Sequence, residues 1–227
     1  PLWMVALSTA FAVIIGKEIF GGTGMNIWNP ALLARAFFFF SYPSMISGDQ
    51  VWIASDTADA ISQATPLAQM ALGQPLSYST ADMFWGLIPG SIGETSTFCV
   101  LLGAILLLMT NVASWRTMLS VFAGGFLMAW AFQSISGVEA YQQLLMGGFA
   151  FGAVFMATDP VTSAQTNTGK YIYGLLIGAM AIIIRALNPG YPEGMMLAIL
   201  LMNVFAPLID YYVVEANINR RLKRVIK

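Results

Sequence analysis

The sequence predicts an all-α integral membrane protein, a multi-helix bundle with broken helices. Three observations predict it. Of the 227 residues, 58% are hydrophobic and 9% charged, where a soluble domain carries roughly 25% charged residues. Mean hydropathy is +0.72. Apolar runs recur at the length of about 20 residues that crosses a bilayer as a helix.

The elements follow in order. Seven hydrophobic segments are read at about 2–16, 30–47, 95–113, 117–134, 141–157, 171–187 and 194–213. Lys17-Glu18 ends the first, and the second contains the run Phe37 to Phe40. Residues 48–80 form a polar loop with Asp49, Asp56 and Asp59. Residues 81–92 are apolar but short and broken by Gly and Pro, as an interfacial or re-entrant piece would be. This divides the chain into a transmembrane domain, 1–214, and a basic tail, 215–227. The chain opens on Pro1 and enters an apolar run at once, so it is read as a fragment or trimmed product whose upstream part is missing.

Charge placement sets an orientation. The tail carries Arg220, Arg221, Lys223, Arg224 and Lys227, which the positive-inside rule puts in the cytoplasm. Counting back over seven crossings, Lys17, Arg116 and Lys170 share that side, and Arg35 lies near the cytoplasmic start of the second span. Arg185 alone falls near the outer side. Loop 48–80 is then external, with most of the acidic residues.

Asn29-Pro30 and Asn188-Pro189 each stand between two spans, on opposite sides of the membrane by this count. Matching breaks in opposite orientation are what an inverted repeat predicts, with ligand sites near the broken segments. Two ordinary Asn-Pro turns are the plainer reading.

Absences narrow the chemistry. There is no histidine, so imidazole sites for haem or metal are excluded. Cys99 is single and lies in an apolar run, as a buried small hydrophobe does. No phosphate-binding P-loop occurs. No nucleic-acid partner is expected.

The stretch Asp59-Ala-Ile-Ser-Gln-Ala-Thr65-Pro-Leu is a polar island. It resembles the Asp-x-x-Ser/Thr-Gly-Ala-Thr signal that a flavin transferase reads when it joins FMN to a threonine. Asp59, Ser62, Ala64 and Thr65 fit, and Gln63 replaces the usual glycine. Larger blocks agree: residues 16–30 (Gly-Lys-Glu-Ile-Phe-Gly-Gly-Thr-Gly-Met-Asn-Ile-Trp-Asn-Pro), 88–94 (Ile-Pro-Gly-Ser-Ile-Gly-Glu), 156–160 (Met-Ala-Thr-Asp-Pro), 188–196, 205–210 and 218–221. Together they resemble the family of B-type membrane subunits of the bacterial sodium-translocating NADH:quinone oxidoreductases, to which the D-type subunits of the Rnf electron-transport complexes are related.

That resemblance implies a fold of inverted repeats similar to urea transporters, in a multi-pass protein of the bacterial inner membrane. It implies covalent FMN, a phosphoester to Thr65 made by an external transferase, and a non-covalent riboflavin. Electrons would pass from these flavins to ubiquinone while sodium is exported. The partners implied are membrane lipid and the other membrane and flavin subunits of a six-subunit complex. Asn26 and Asn29 are the riboflavin candidates, because amides supply both donors and acceptors; turn chemistry is the alternative. Asp210, inside the last span, and the weaker Asp159 are the sodium candidates, with a boundary acid paired to Arg220 or Arg221 as the alternative for Asp210. Glu94 and Glu193 open apolar helices, where a carboxylate suits the helix dipole. The competing functions are an Rnf-type subunit and a urea-transporter-like channel, for which a flavin-attachment motif has no use.

Overall fold

The computed structural model describes residues 1–43, 65–91, 93–188 and 193–225. These form helices and turns, with no β-strand among the described residues. Helix α1 spans Leu2–Gly16 and continues as a 3₁₀ turn, Glu18–Phe20. α2 is Pro30–Ser41, α3 Pro66–Ala71 and α4 Thr80–Trp85. α5 is Thr97–Met109, α6 Trp115–Ala131, α7 Gln133–Ser136 and α8 Ala140–Leu145. α9 begins at Phe149–Phe151 and runs into a π turn, Gly152–Met156. α10 is Asn167–Leu187 and α11 Met195–Val225.

Among the described residues, three helices are long and apolar enough to cross a membrane: Leu2–Phe20, Asn167–Leu187 and Met195–Arg224. They fall where the sequence places its first, sixth and seventh segments. The third segment is shorter than read. Ser96 caps its start by accepting from the Cys99 N–H at 3.3 Å, and Asn111, at φ 55°, turns the chain after it. The thirteen residues of α5 reach only about 20 Å at 1.5 Å per residue. Residues 81–92 do not span. Ser79 and Asp82 close a capping box at the head of α4, and Gly86, in the left-handed region, ends it after one and a half turns.

The core of the bundle is the α6–α10 pair, with α11 laid against α10. Glycines bring α6 and α10 into backbone contact. A methyl added at Gly124 would strike the Leu175 carbonyl, and one at Gly178 the Val121 carbonyl. One at Gly174 would meet Ser120 and the Thr117 carbonyl. Ser120-x-x-x-Gly124 on one helix therefore faces Gly174-x-x-x-Gly178 on the other, the small-residue pattern by which membrane helices pack closely. Tyr173, Ile177, Ala181 and Ile182 fill the space towards α11, all at 0% exposure. The outward faces stay apolar, with Leu102, Leu106, Leu119, Leu127, Leu201 and Leu208 exposed, as a lipid-facing surface requires.

α11 contains Pro207. One turn earlier the buried Asn203 amide bridges three elements. With its nitrogen towards Tyr173 Oη (2.6 Å), its oxygen accepts from the Asn29 backbone N–H at 3.2 Å. The head of α2 is thereby joined to α10 and α11.

Candidate functional site

Thr65 opens α3. Its hydroxyl oxygen accepts from the Ala68 N–H at 3.1 Å, and Pro66 follows at the first helical position, where its missing donor costs nothing. Leu67 and Met70 bury this short helix against Met83, Ile88, Val138 and Met146. Gln69 ties down the following turn from both ends of its amide. Its nitrogen donates to Ser77 Oγ at 2.8 Å, and its oxygen accepts from the Ser77 N–H at 3.1 Å. The half-buried Thr65 hydroxyl is therefore held on a fixed element. Asp59, Ser62 and Ala64 lie outside the described residues.

Leu67 leads to the feature that sequence reasoning missed. The segment read as one span, 141–157, is two half-helices. α8 stops at Leu145, Gly147 sits at φ 58°, and α9 starts after Gly148. Such a break inside an apolar region exposes backbone groups that need partners. Arg185, only 2% exposed, supplies them: its guanidinium donates to the carbonyls of Gln143 and Met146, the latter at 3.3 Å. A cation thus sits at the C-terminal end of α8. The N-terminal end of α9 meets the opposite sign, since a methyl on Gly148 would touch the carboxylates of both Glu193 and Glu94. Each half-helix end faces the charge its dipole favours. A methyl on Gly147 would press on Leu67, two residues from Thr65, so the break and the Thr65 element are in contact.

Arg35 completes the cluster with an ion pair to Glu193 at 2.5 Å. The sequence expectation groups Arg35 with the cytoplasmic cations. It sits midway along α2 and reaches the head of α11, at the Arg185 end of the bundle. Glu94 accepts from the Ser91 N–H at 3.2 Å. Burial raises its carboxyl above the ordinary value, and nearby Glu193 raises it further; the Ser91 N–H and Arg35 pull it back only partly.

The other candidates stand in separate networks. Asn29 caps α2, its Oδ1 accepting from Ala31 and Leu32 N–H at 3.0 and 3.3 Å. Asn26 donates to the Trp28 carbonyl at 3.1 Å. Both asparagines therefore do local turn work, and the Asn29 amide nitrogen has no bond among the described residues. Asp210 does not reach Arg220 or Arg221. Its Oδ2 accepts from the Gln165 N–H at 2.6 Å, and its Oδ1 from Thr166, at 3.0 Å from the N–H and 2.5 Å from the hydroxyl. It thereby anchors the head of α10 to α11. Asp159 forms a local turn, accepting from the Val161 N–H at 3.3 Å and the Thr162 hydroxyl at 2.8 Å. No group of three or more His, Cys, Asp or Glu that could hold a metal occurs among the described residues. Asp210 lies at the Thr166 end of α10 and Arg185 at the other, about 30 Å apart along a 21-residue helix.

Two signals could have exposed the break. Gly147-Gly148 interrupts an apolar run, and Arg185 is a lone cation deep in another. Arg35 is likewise a cation within an apolar run, but its partner, 158 positions away, left no local sign.

Comparison with known proteins gives a consistent picture. A family model described as the NQR2, RnfD, RnfE family matches residues 1–219. Relatives named as the B-type subunit of the Na(+)-translocating NADH-quinone reductase include those of Chromohalobacter salexigens, 54% identical, and Yersinia pestis, 52% identical. The protein of that name from Pseudomonas paraeruginosa is 49% identical. Each alignment covers 99% of this chain but only 56 to 58% of the relative. The chain spans a little over half the length of the curated relatives it matches.

Proposed function

The chain belongs to the NQR2, RnfD, RnfE family, and from that premise we propose that it is part of the B-type membrane subunit of a sodium-translocating NADH:quinone reductase. The observation that carries this reading is identity of 49 to 54% to proteins of that name over 99% of the chain. The same names favour the reductase over an Rnf-type complex, although the family model covers both. Under this reading NADH is the electron source, ubiquinone the acceptor and sodium the exported ion. The partners are the other subunits of the complex. The two Asn-Pro breaks fit an inverted repeat similar to that of urea transporters, in a bacterial inner membrane with the Thr65 side periplasmic and the basic tail cytoplasmic.

Thr65 is the attachment point for FMN in this proposal. The residues present suit the group: a half-buried hydroxyl, a proline beside it and a short helix pinned by Leu67 and Gln69. FMN, when bound, supplies one-electron carriage. Thr65 supplies the ester oxygen and α3 fixes its position relative to the break. Asp59, Ser62 and Ala64 are what a transferase would read. Asn26 and Asn29 are the proposed riboflavin contacts, with the Asn29 amide nitrogen, which has no bond among the described residues, as a donor. Asp210 and Asp159 are the proposed carboxylates of the sodium path. Both stand at the Thr166 end of α10, opposite the Thr65 element, as an entry on the far side of the membrane requires.

The test is flavin fluorescence of the denatured subunit in a gel, together with the mass of the Thr65 peptide. Thr65→Ala is expected to abolish the fluorescent band and the added FMN mass. A fluorescent Thr65→Ala band would remove the assignment.

A further inference from the structure

α11 is longer than a membrane is thick. Its 31 residues extend about 46 Å, against a hydrocarbon core of about 30 Å. Counting about 20 residues from Met195 puts the bilayer boundary close to Glu215. An open groove of about 430 Å³ runs across that level between α10 and α11. Its inner part is lined by Ile172, Ile209, Tyr212 and Val213, its outer part by Ala216, Asn217 and Arg220.

The groove is amphipathic along its length, and its polar end is cationic. Ile209, Val213, Ala216 and Arg220 follow one another at helical spacing on one stripe of α11, and Lys223 and Arg224 continue the stripe beyond. Glu215 falls about 120° away from it at 3.6 residues per turn. None of Arg220, Lys223 and Arg224 has an ion-pair partner among the described residues. Aromatic side chains stand just inside that level: Tyr211 and Tyr212, three to four residues before Glu215, are exposed. Such rings collect at membrane–water interfaces.

We propose that this groove binds an anionic phospholipid, with the headgroup phosphate at Asn217 and Arg220 and an acyl chain along Ile172, Ile209 and Val213. A partner helix would need an apolar face along the whole groove, and the cationic outer end does not match that. A zwitterionic lipid would fit the apolar part but leave Arg220, Lys223 and Arg224 uncompensated. The site does not depend on the flavin assignment and shares no residue with it.

The test uses the full-length subunit, purified from its host membrane with whatever subunits accompany it. Photoactivatable phosphatidylglycerol and phosphatidylcholine are crosslinked to it in nanodiscs, and the adducts are mapped by mass spectrometry. Phosphatidylglycerol is expected to label the peptides of residues 209–220 in preference to phosphatidylcholine. Arg220→Gln should lower that labelling about five-fold, the size of one basic contact near an anionic surface. Arg220→Lys should largely keep it, and Arg221→Gln, off the stripe, should leave it unchanged. Equal labelling by the two lipids would overturn the proposal. So would equal losses in Arg220→Gln and Arg221→Gln, which would mean diffuse attraction to the tail. Protection of these peptides by another subunit would assign the groove to a protein interface instead.

Discussion

The α6–α10 seam and the α8–α9 break use the same residue for opposite ends. In the seam, Gly124, Gly174 and Gly178 lie within continuous helices and let two backbones touch. In the break, Gly147 and Gly148 stop a helix and leave its ends to be met by charged side chains. What separates them is the neighbour. The seam faces helix backbone whose bonds are already made, so only shape matters. The break faces bare carbonyls and N–H groups, so charge placement matters too. A glycine in a membrane helix is thus read by its partners as well as by its own conformational freedom.

The sharpest way to break the comparison is at Arg185. Arg185→Leu leaves the Gln143 and Met146 carbonyls buried without donors, and its expected cost is about 3–5 kcal/mol, seen as a large fall in Tm. Arg185→Lys should recover only part of it, because an ammonium lacks the planar fork that spans two carbonyls. If Arg185→Leu melted like the parent, the break would be held by packing alone.

The seam should respond to volume and not to charge. Gly178→Ala drives a methyl into the Val121 carbonyl and is expected to cost about 1–3 kcal/mol by overpacking. Gly147→Ala should cost about 1–2 kcal/mol for a different reason, the left-handed backbone. Thermal unfolding of the Asn variants tells them apart. Asn tolerates the left-handed region, so Gly147→Asn should cost less than Gly147→Ala, whereas Gly178→Asn should cost more than Gly178→Ala.

The smallest effect is a pH dependence at the break. Glu94 has a raised carboxyl value when folded, so the folded state favours its protonated form. The stability this lends is fully present below the ordinary glutamate range and is lost as pH rises through the raised value. Glu94→Gln should therefore flatten the stability profile across weakly acidic pH. A profile identical to the parent would place the titration elsewhere.

Much of the fold was legible in the sequence, because composition and run length act over many residues at once. The three long helices sit where those averages put them. The break was not legible for the same reason: two glycines barely change the mean of a seventeen-residue window. The proposed role of Thr65 rests on a contiguous signal, the kind a local pattern can carry. The Arg35–Glu193 pair and the hold of Asp210 on Thr166 join distant positions, and local patterns carry no record of such joins. Asp210 shows the limit well. Its depth in an apolar helix marked it as costly, but the backbone groups it satisfies belong to another element.

Pro207 gives α11 a mechanical property that its length conceals. A proline in a helix interior removes the hydrogen bond that would have ended on the carbonyl four residues before, here that of Asn203. The helix is therefore two rods joined at a soft point. The inner rod, up to Ala206, is clamped by the Asn203 bridge and the buried face of α10. The outer rod bears the cationic stripe and is attached to α10 chiefly where Asp210 grips Gln165 and Thr166. A tug on the outer rod would be felt first at that grip, and only weakly at the inner end.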